Sequence, residues 1–328
     1  MKLITAAILC TLACSAQVSP LPSKKTGVAT PGVQIPLSRL KPDAVFAVPG
    51  APDWIAIDDS VWISNKPGNS VTRIDPGGNR VLETIPAGSA PCAGLAIGFG
   101  SLWVPNCGGP TLVRIDLKLH RVAAAISTAI ADTEGSIAAG AGSIWLLTDS
   151  KGTLSRFDPK TNRVAAEIPV ASASFAAAFG DGAVWVTSTG NNLVTRVDPQ
   201  TNRPVATIPV GPAPRFLAVG EGAVWTLNQG DGSVSRIDPR TNRLVATIPV
   251  GVPGGGGDIA AGEGSVWVTS FDFPVSRIDP ARNEVVQQFV GKGGDAIRVG
   301  LGSVWLSNLK AQNVWRIDVK KLEAVRAE

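Results

Sequence analysis

The chain has 328 residues, 44% of them hydrophobic, and a formal net charge of +4, which is too much apolar material for a disordered chain and enough for a large core. Its basic residues are spread along the sequence and interleaved with acidic ones, so the excess charge gathers into no patch and a nucleic-acid partner is not expected. Tyr is absent while Trp occurs nine times, a bias that points to an internal repeat.

The chain starts MKLITAAILCTLACSAQ, a lysine followed by an apolar run from Leu3 to Ala13 and then small residues. That is the layout of a secretory signal peptide over residues 1–16, so the mature protein is expected to be exported, periplasmic or secreted. Thr11-Leu12-Ala13-Cys14 loosely follows a lipoprotein box, with Thr11 where Leu is usual, which makes Cys14 a candidate lipid anchor. No later stretch approaches the ~20 apolar residues of a membrane span. Residues 17–42, rich in Pro, Ser and Lys, read as a mobile leader tether, and residues 43–328 as one folded domain.

Within that domain AVFAVPG, from Ala44 to Gly50, reads as the fourth strand of a unit that lacks its first three. Two linked phrases then recur seven times. The first is SVWISN around Trp62, and it returns around Trp103, Trp145, Trp185, Trp225, Trp267 and Trp305, at spacings of 38 to 42 residues. About ten residues after each Trp comes the second phrase, TRIDP in the first unit and WRIDV in the last. Every unit holds four short β-like runs bounded by Gly, Pro, Asn or Asp, in the fifth unit RFLAVGEG, AVWTLNQ, SVSRID and RLVATIPVG. Between the third and fourth runs lies a turn such as DPRTNR, in which Asp accepts backbone hydrogen bonds, Pro fixes φ and Asn tolerates a left-handed conformation.

Four-stranded antiparallel meanders of this size close radially, so the fold class is all-β, a seven-bladed β-propeller with each Trp wedged between neighbouring blades. The last unit ends in the charged KKLEAVRAE, a poor fourth strand. The N-terminal strand is therefore expected to pair with the third strand of blade seven and close the ring. The Arg of each RID phrase (Arg73, Arg114, Arg156, Arg196, Arg236, Arg277 and Arg316) is expected to neutralise the Asp two positions on or to bridge adjacent blades. Cys92 and Cys107, the pair left after the leader, are expected to form a local disulfide.

The phrases VATIPVG, VSRIDP and VWVTS resemble the YVTN-type repeat shared with the virginiamycin B lyase-like (streptogramin lyase-like) propellers, over residues 44 to 328. The resemblance implies a propeller and leaves function open, because the group includes periplasmic proteins as well as lyases. Its lyases need histidine in the site, with a carboxylate and magnesium nearby. The one histidine here, His120, replaces the Asn of the DPxTNR turn in the second unit, on the face opposite the mouth, and reads as a solvated turn residue. None of the lyase's catalytic residues is carried over.

No hydrolytic triad, zinc cluster or phosphate loop is present, and GVPGGGG, Gly251 to Gly257, reads as a flexible loop leading into blade six. The loops before each first strand and those between second and third strands emerge on one face, the mouth. There the first strands begin with Asp53, Cys92, Glu134, Phe175, Arg215, Asp258 and Asp295. Asp53, Glu134, Phe175, Arg215, Asp258 and Asp295 are candidates for binding a small cationic or polyhydroxylated ligand, and Asp53, Glu134, Asp258 and Asp295 for holding a divalent cation, Ca or Mg. A second polar ring, Asn65, Asn106, Ser188, Asn228, Ser270 and Asn308, reads as fixing the hairpin turns. The functional expectation is a non-catalytic monomeric propeller that receives a small ligand or a protein partner at its mouth. The alternative is a metal-dependent lyase or lactonase-like hydrolase of the streptogramin lyase/gluconolactonase-like propeller group, in which a metal-activated water replaces the missing histidine base.

Overall fold

The computed structural model describes residues 24–131 and 133–327; the expected signal peptide and Cys14 lie outside the described residues. Seven antiparallel sheets surround a central axis, at 52–86, 96–127, 137–169, 174–209, 214–249, 258–290 and 297–318. First strands neighbour one another around the axis, and fourth strands lie outermost and largely exposed. Second strands such as Ala183–Ser188 are buried along their whole length because a blade covers each face. As expected, the N-terminal strand Ala44–Ala47 pairs antiparallel with Asn313–Asp318 and closes the ring within blade seven. The charged C-terminal segment forms a short helix, Val319–Ala324, with the Asp318 side chain accepting from Lys321 N at its start.

Residues 24–40, expected to be a mobile tether, are docked on blade six. Gln34–Pro36 adds a parallel fifth strand beside Glu284–Val290, and Ile35 and Leu40 join the cluster that contains Phe289. Thr26 N and Gly27 N donate to Gly251 O, at 3.2 and 2.9 Å, so the glycine-rich loop is pinned as well. The polar composition of this segment hid its few apolar anchors, Val33, Ile35 and Leu40, each buried.

The seven repeated tryptophans are at most 1% exposed. In blades two to seven the indole Nε1 donates to a glycine carbonyl five residues earlier, at 2.9 to 3.3 Å. Over six of these rings lies the repeated Arg, its Cζ 5.1 to 5.9 Å from the ring centroid. The Arg bridges blades, but its partner is neither the Asp two positions on nor any other carboxylate in most joins. Arg156 Nη1 donates to Pro199 O and Asn202 Oδ1 in the turn of the next blade, both at 2.9 Å. Arg114, Arg196, Arg236 and Arg316 do the same with Asn162, Asn242, Asn283 and Asn79. The Asp of each phrase instead accepts amides of its own turn.

Two joins vary this latch. Arg277 reaches Glu323 on the C-terminal helix at 2.7 Å. Arg73 meets Glu83 and His120 Nδ1, at 3.1 and 3.0 Å. His120 is therefore on the face opposite the mouth, as expected, but it is a latch residue and not merely a solvated one. It keeps the left-handed backbone of the asparagines it replaces, φ +50° against +49° to +58°. Cys92 and Cys107 are bridged, with Cα atoms 5.9 Å apart; a bridge closing a loop this short contributes ~3 kcal/mol in the chain-entropy picture.

The serine that opens the Trp phrase accepts from the latch Arg Nε in blades one, two, three and seven, at 2.7 to 3.1 Å. In blade four Ala183 stands there, and Arg196 Nε is buried without a partner. Ala183→Ser should supply that acceptor and stabilise the fold by about 0.5–1.5 kcal/mol, and Ser143→Ala should cost a similar amount. Urea unfolding checks both, as shifts in midpoint at constant slope; a destabilised Ala183→Ser would mean that the Arg Nε needs no partner.

Candidate functional site

The starts of the first strands bring four of the expected residues, Asp53, Glu134, Arg215 and Asp295, into the wall of one cavity of about 410 Å³ at the mouth. Trp54, Lys66, Phe216 and Phe271 complete the part of the wall that bears on chemistry. Asp53 and Asp295 line the same wall, near enough for each to act on the other's ionisation. Burial, then the charges of Glu134 and Asp258, push Asp295 up to about 7. Burial first and then Asp295 raise Asp53 well above the usual carboxylate range. Two neighbouring carboxyls with little water around them resist ionising together, so each holds its proton to higher pH than an isolated carboxyl does.

The other charged candidates are already matched. Glu134 Oε2 accepts from Arg215 Nη2 at 2.6 Å, and the Arg215 guanidinium lies over Phe175, 4.5 Å from its centroid, which places Phe175 beneath the wall. Asp258 sits deeper, only 2% exposed, where it lines the central channel and not the mouth. It bonds Arg298 Nη1 and accepts from Ile259 N and Ile297 N, at 2.8 and 3.2 Å. Burial raises the Asp258 carboxyl against the pull of Arg298.

The expected four-carboxylate metal site therefore does not assemble: Glu134 and Asp258 each spend their charge on an arginine. Among the described residues no group of three or more His, Cys, Asp or Glu is placed to hold one metal ion. Thr133 Oγ1, Ser174 Oγ and Arg215 Nε, in or beside the same strand starts, are buried without hydrogen-bond partners. Buried polar atoms of this kind mark where a ligand or ordered water completes a site.

Sequence reasoning passed over Trp54 and Arg298. Trp54 is 3% exposed, donates from Nε1 to Cys92 O at 3.1 Å and packs against Phe216. Both rings line the mouth cavity and the channel of about 300 Å³ below it, so they form the partition between the two. Arg298 was signalled by a broken pattern. The residue paired across from the blade Trp is Ala56, Ala96, Ala138, Ala178, Ala218 and Ala260 in six blades, and Arg298 in the seventh.

The second polar ring is structural, as expected. Asn65 Oδ1 accepts from Ala51 N and Gly68 N, at 3.2 and 3.1 Å, and Asn308 Oδ1 from Gly294 N at 2.8 Å. Gly256, in the glycine-rich loop, has φ +81°, and a Cβ there would collide with the Phe271 ring, so this glycine lets the loop reach the cavity wall.

No protein-family model matches the chain, and no curated protein matches it in sequence. Solved structures do match in fold. A streptogramin B lyase is 19% identical with a TM-score of 0.72, covering 83% of this chain and 95% of that one. Virginiamycin B lyase from Staphylococcus aureus is 17% identical with a TM-score of 0.72, over 84% and 98%. Hydrazine synthase from Kuenenia stuttgartiensis is 14% identical with a TM-score of 0.68, over 83% and 96%. The chain thus has the seven-bladed fold of the virginiamycin B lyase-like propellers, and identities this low carry the fold alone.

A raised Asp295 has a definite stability signature. Its folded pKa lies above the unfolded value, so the unfolded state loses its proton first and stability falls as pH rises between about 4 and 7. Asp295→Asn should therefore melt higher than the parent at pH ~8, by about 2–4 °C for each kcal/mol recovered, and the difference should shrink towards pH ~4. Thermal unfolding across that range checks it; a constant difference would mean that Asp295 is not the group under strain.

Proposed function

We propose that this protein is an exported, non-catalytic binding propeller whose mouth receives a small organic cation. The observation that carries the reading is the half-buried Asp53–Asp295 pair in the wall of a cavity that also presents Trp54, Phe216 and Phe271. A carboxyl pair deprived of water binds an ammonium group in place of a proton, and aromatic faces add cation–π attraction to the same charge. The unpaired polar atoms beside Glu134 and Arg215 offer hydrogen bonds to the rest of such a ligand.

Export is supported by the leader-like first residues and by the Cys92–Cys107 bridge, which an oxidising compartment preserves. Among the described residues no helix is long and apolar enough to cross a membrane. We keep Cys14 as the proposed point of any lipid anchor.

Lyase chemistry of the kind named for two of the structural neighbours would enter here only with a different base, since the single histidine serves the latch on the far face. One observation favours an enzyme reading. A carboxyl that keeps its proton up to about 7, as Asp295 does, has the equipment for general acid–base work.

The test is calorimetric titration with simple primary alkylamines, which stay protonated throughout the range. Binding a cation to the pair releases a proton, so affinity should rise with pH through about 7 and level off above it. Asp295→Asn should weaken binding by about tenfold or more and flatten that pH dependence. Saturable binding with no pH dependence in the parent, or none at any pH, would refute the reading.

A further inference from the structure

Phe271 borders two cavities. One is the acidic mouth; the other, about 390 Å³, is a ledge between blades six and seven lined by Lys25, Asp272, Lys292, Gly294, Asn308 and Lys310. The ledge is assembled from distant parts of the chain. Lys25 comes from the docked N-terminal segment and donates to Ser270 Oγ and Gly255 O, at 2.8 and 3.2 Å. Lys310 follows the second strand of blade seven.

The ledge charges do not balance. Lys292 pairs with Asp272 at 2.8 Å, while the ammonium groups of Lys25 and Lys310 stand 5.9 and 5.2 Å from the Phe271 centroid with no carboxylate of the described residues in contact. Three ammonium groups thus face one carboxylate. Burial holds Lys25 below the ordinary lysine range, against the pull of Asp272, so this cation has lost water without gaining a full counter-ion. Under the floor of the ledge the hydroxyl of Thr269, fully buried and against Gly294, has no hydrogen-bond partner. Like charges held together beside a ring are stabilised when an anion joins them.

We propose that the ledge is a carboxylate-binding subsite continuous with the mouth, so that the ligand of this face is dipolar: its ammonium group lies at Asp53 and Asp295, its carboxylate at Lys25 and Lys310, and its connecting chain passes Phe271. The ammonium half of this assignment rests on the reading of the mouth given above. The Asp53–Asp295 pair in one cavity and the ledge ammonium groups in another that shares Phe271 with it select for charge separation within the ligand, which neither a plain amine nor a plain acid supplies.

Straight-chain ω-amino acids of increasing length, titrated into the full protein beside the alkylamine and the alkanoate of equal length, separate the two halves. One length should bind about tenfold or more tighter than either single-charge analogue, because the second contact is made within an already bound molecule. In the Lys25→Gln/Lys310→Gln double variant that gain should vanish while alkylamine affinity holds. If the alkylamine binds and no ω-amino acid binds better, the ledge assignment is overturned and the mouth reading stands. A gain that survives in the double variant also overturns it, by placing the carboxylate elsewhere. If the alkylamine does not bind at all, the mouth reading falls and the dipolar ligand falls with it.

Discussion

The joins between blades depend on a contact made at five of the seven and varied at the other two, a guanidinium laid across the edge of one blade and anchored in the third turn of the next. The Arg covers a fully buried Trp and donates to a carbonyl and an Asn side chain that belong to its neighbour. A propeller blade is a twisted sheet with two faces to cover, and apolar packing alone would let adjacent blades slide. Directional bonds from a fixed fork set the register of each join. The Asn can accept only because its backbone is left-handed, which is why the turn sequence DPxTN and the RID phrase recur together. At the two joins where the turn changes, the chain substitutes other acceptors, His120 with Glu83 and Glu323 on the terminal helix. The contact is kept while its chemistry drifts.

Because the repeated residues are occupied with these joins and with the hairpin turns, chemistry is available only where the repeat is broken. The first strands show this most clearly. Six of them place alanine across from the blade Trp, leaving a narrow channel along the axis, and the seventh places Arg298 there to meet Asp258. The first blade places Trp54 and the fifth, at the equivalent strand position, Phe216, and these two rings close the channel beneath the mouth. Arg215 then neutralises Glu134 at the mouth and Arg298 neutralises Asp258 in the channel below, while Asp53 and Asp295 oppose each other's ionisation. The acidic character of the mouth is thereby concentrated on Asp53 and Asp295, a smaller and more directed site than a ring of four free carboxylates.

The ring was legible in the sequence because its signal is periodic: seven spaced tryptophans, seven RID phrases and an orphan strand at Ala44. The mouth was half legible. Strand order told which residues would lie on one face, but not which would touch, since Glu134–Arg215 and Asp258–Arg298 join residues 81 and 40 positions apart. Of the two roles open to the repeated Arg, neutralising the Asp two positions on or bridging blades, the fold takes the second, because it puts the next blade's turn in reach. The docked N-terminal segment was missed for a compositional reason. Three buried apolar residues among prolines, lysines and small polar ones are too few to make a pattern, yet they suffice when blade six presents Phe289 and a free outer edge to receive them.

That docked segment also determines when the rim of the mouth exists. Lys25 bonds to residues 230 and 245 positions away, and the strand behind it pairs with Gln288 and its neighbours. Such contacts form only after most loop entropy has been spent, once blade six is in place to receive the segment. Next along the chain, Ala44–Ala47 pairs with the last strand and seals the ring. The same stretch of sequence therefore finishes the fold and supplies a cation to the ledge. The mouth, which draws on blades one, three, five, six and seven, cannot take its shape before the ring is complete. A site distributed in this way belongs to the closed ring as a whole, and a propeller lacking its N-terminal segment would lose the ledge first and the register of blade seven next.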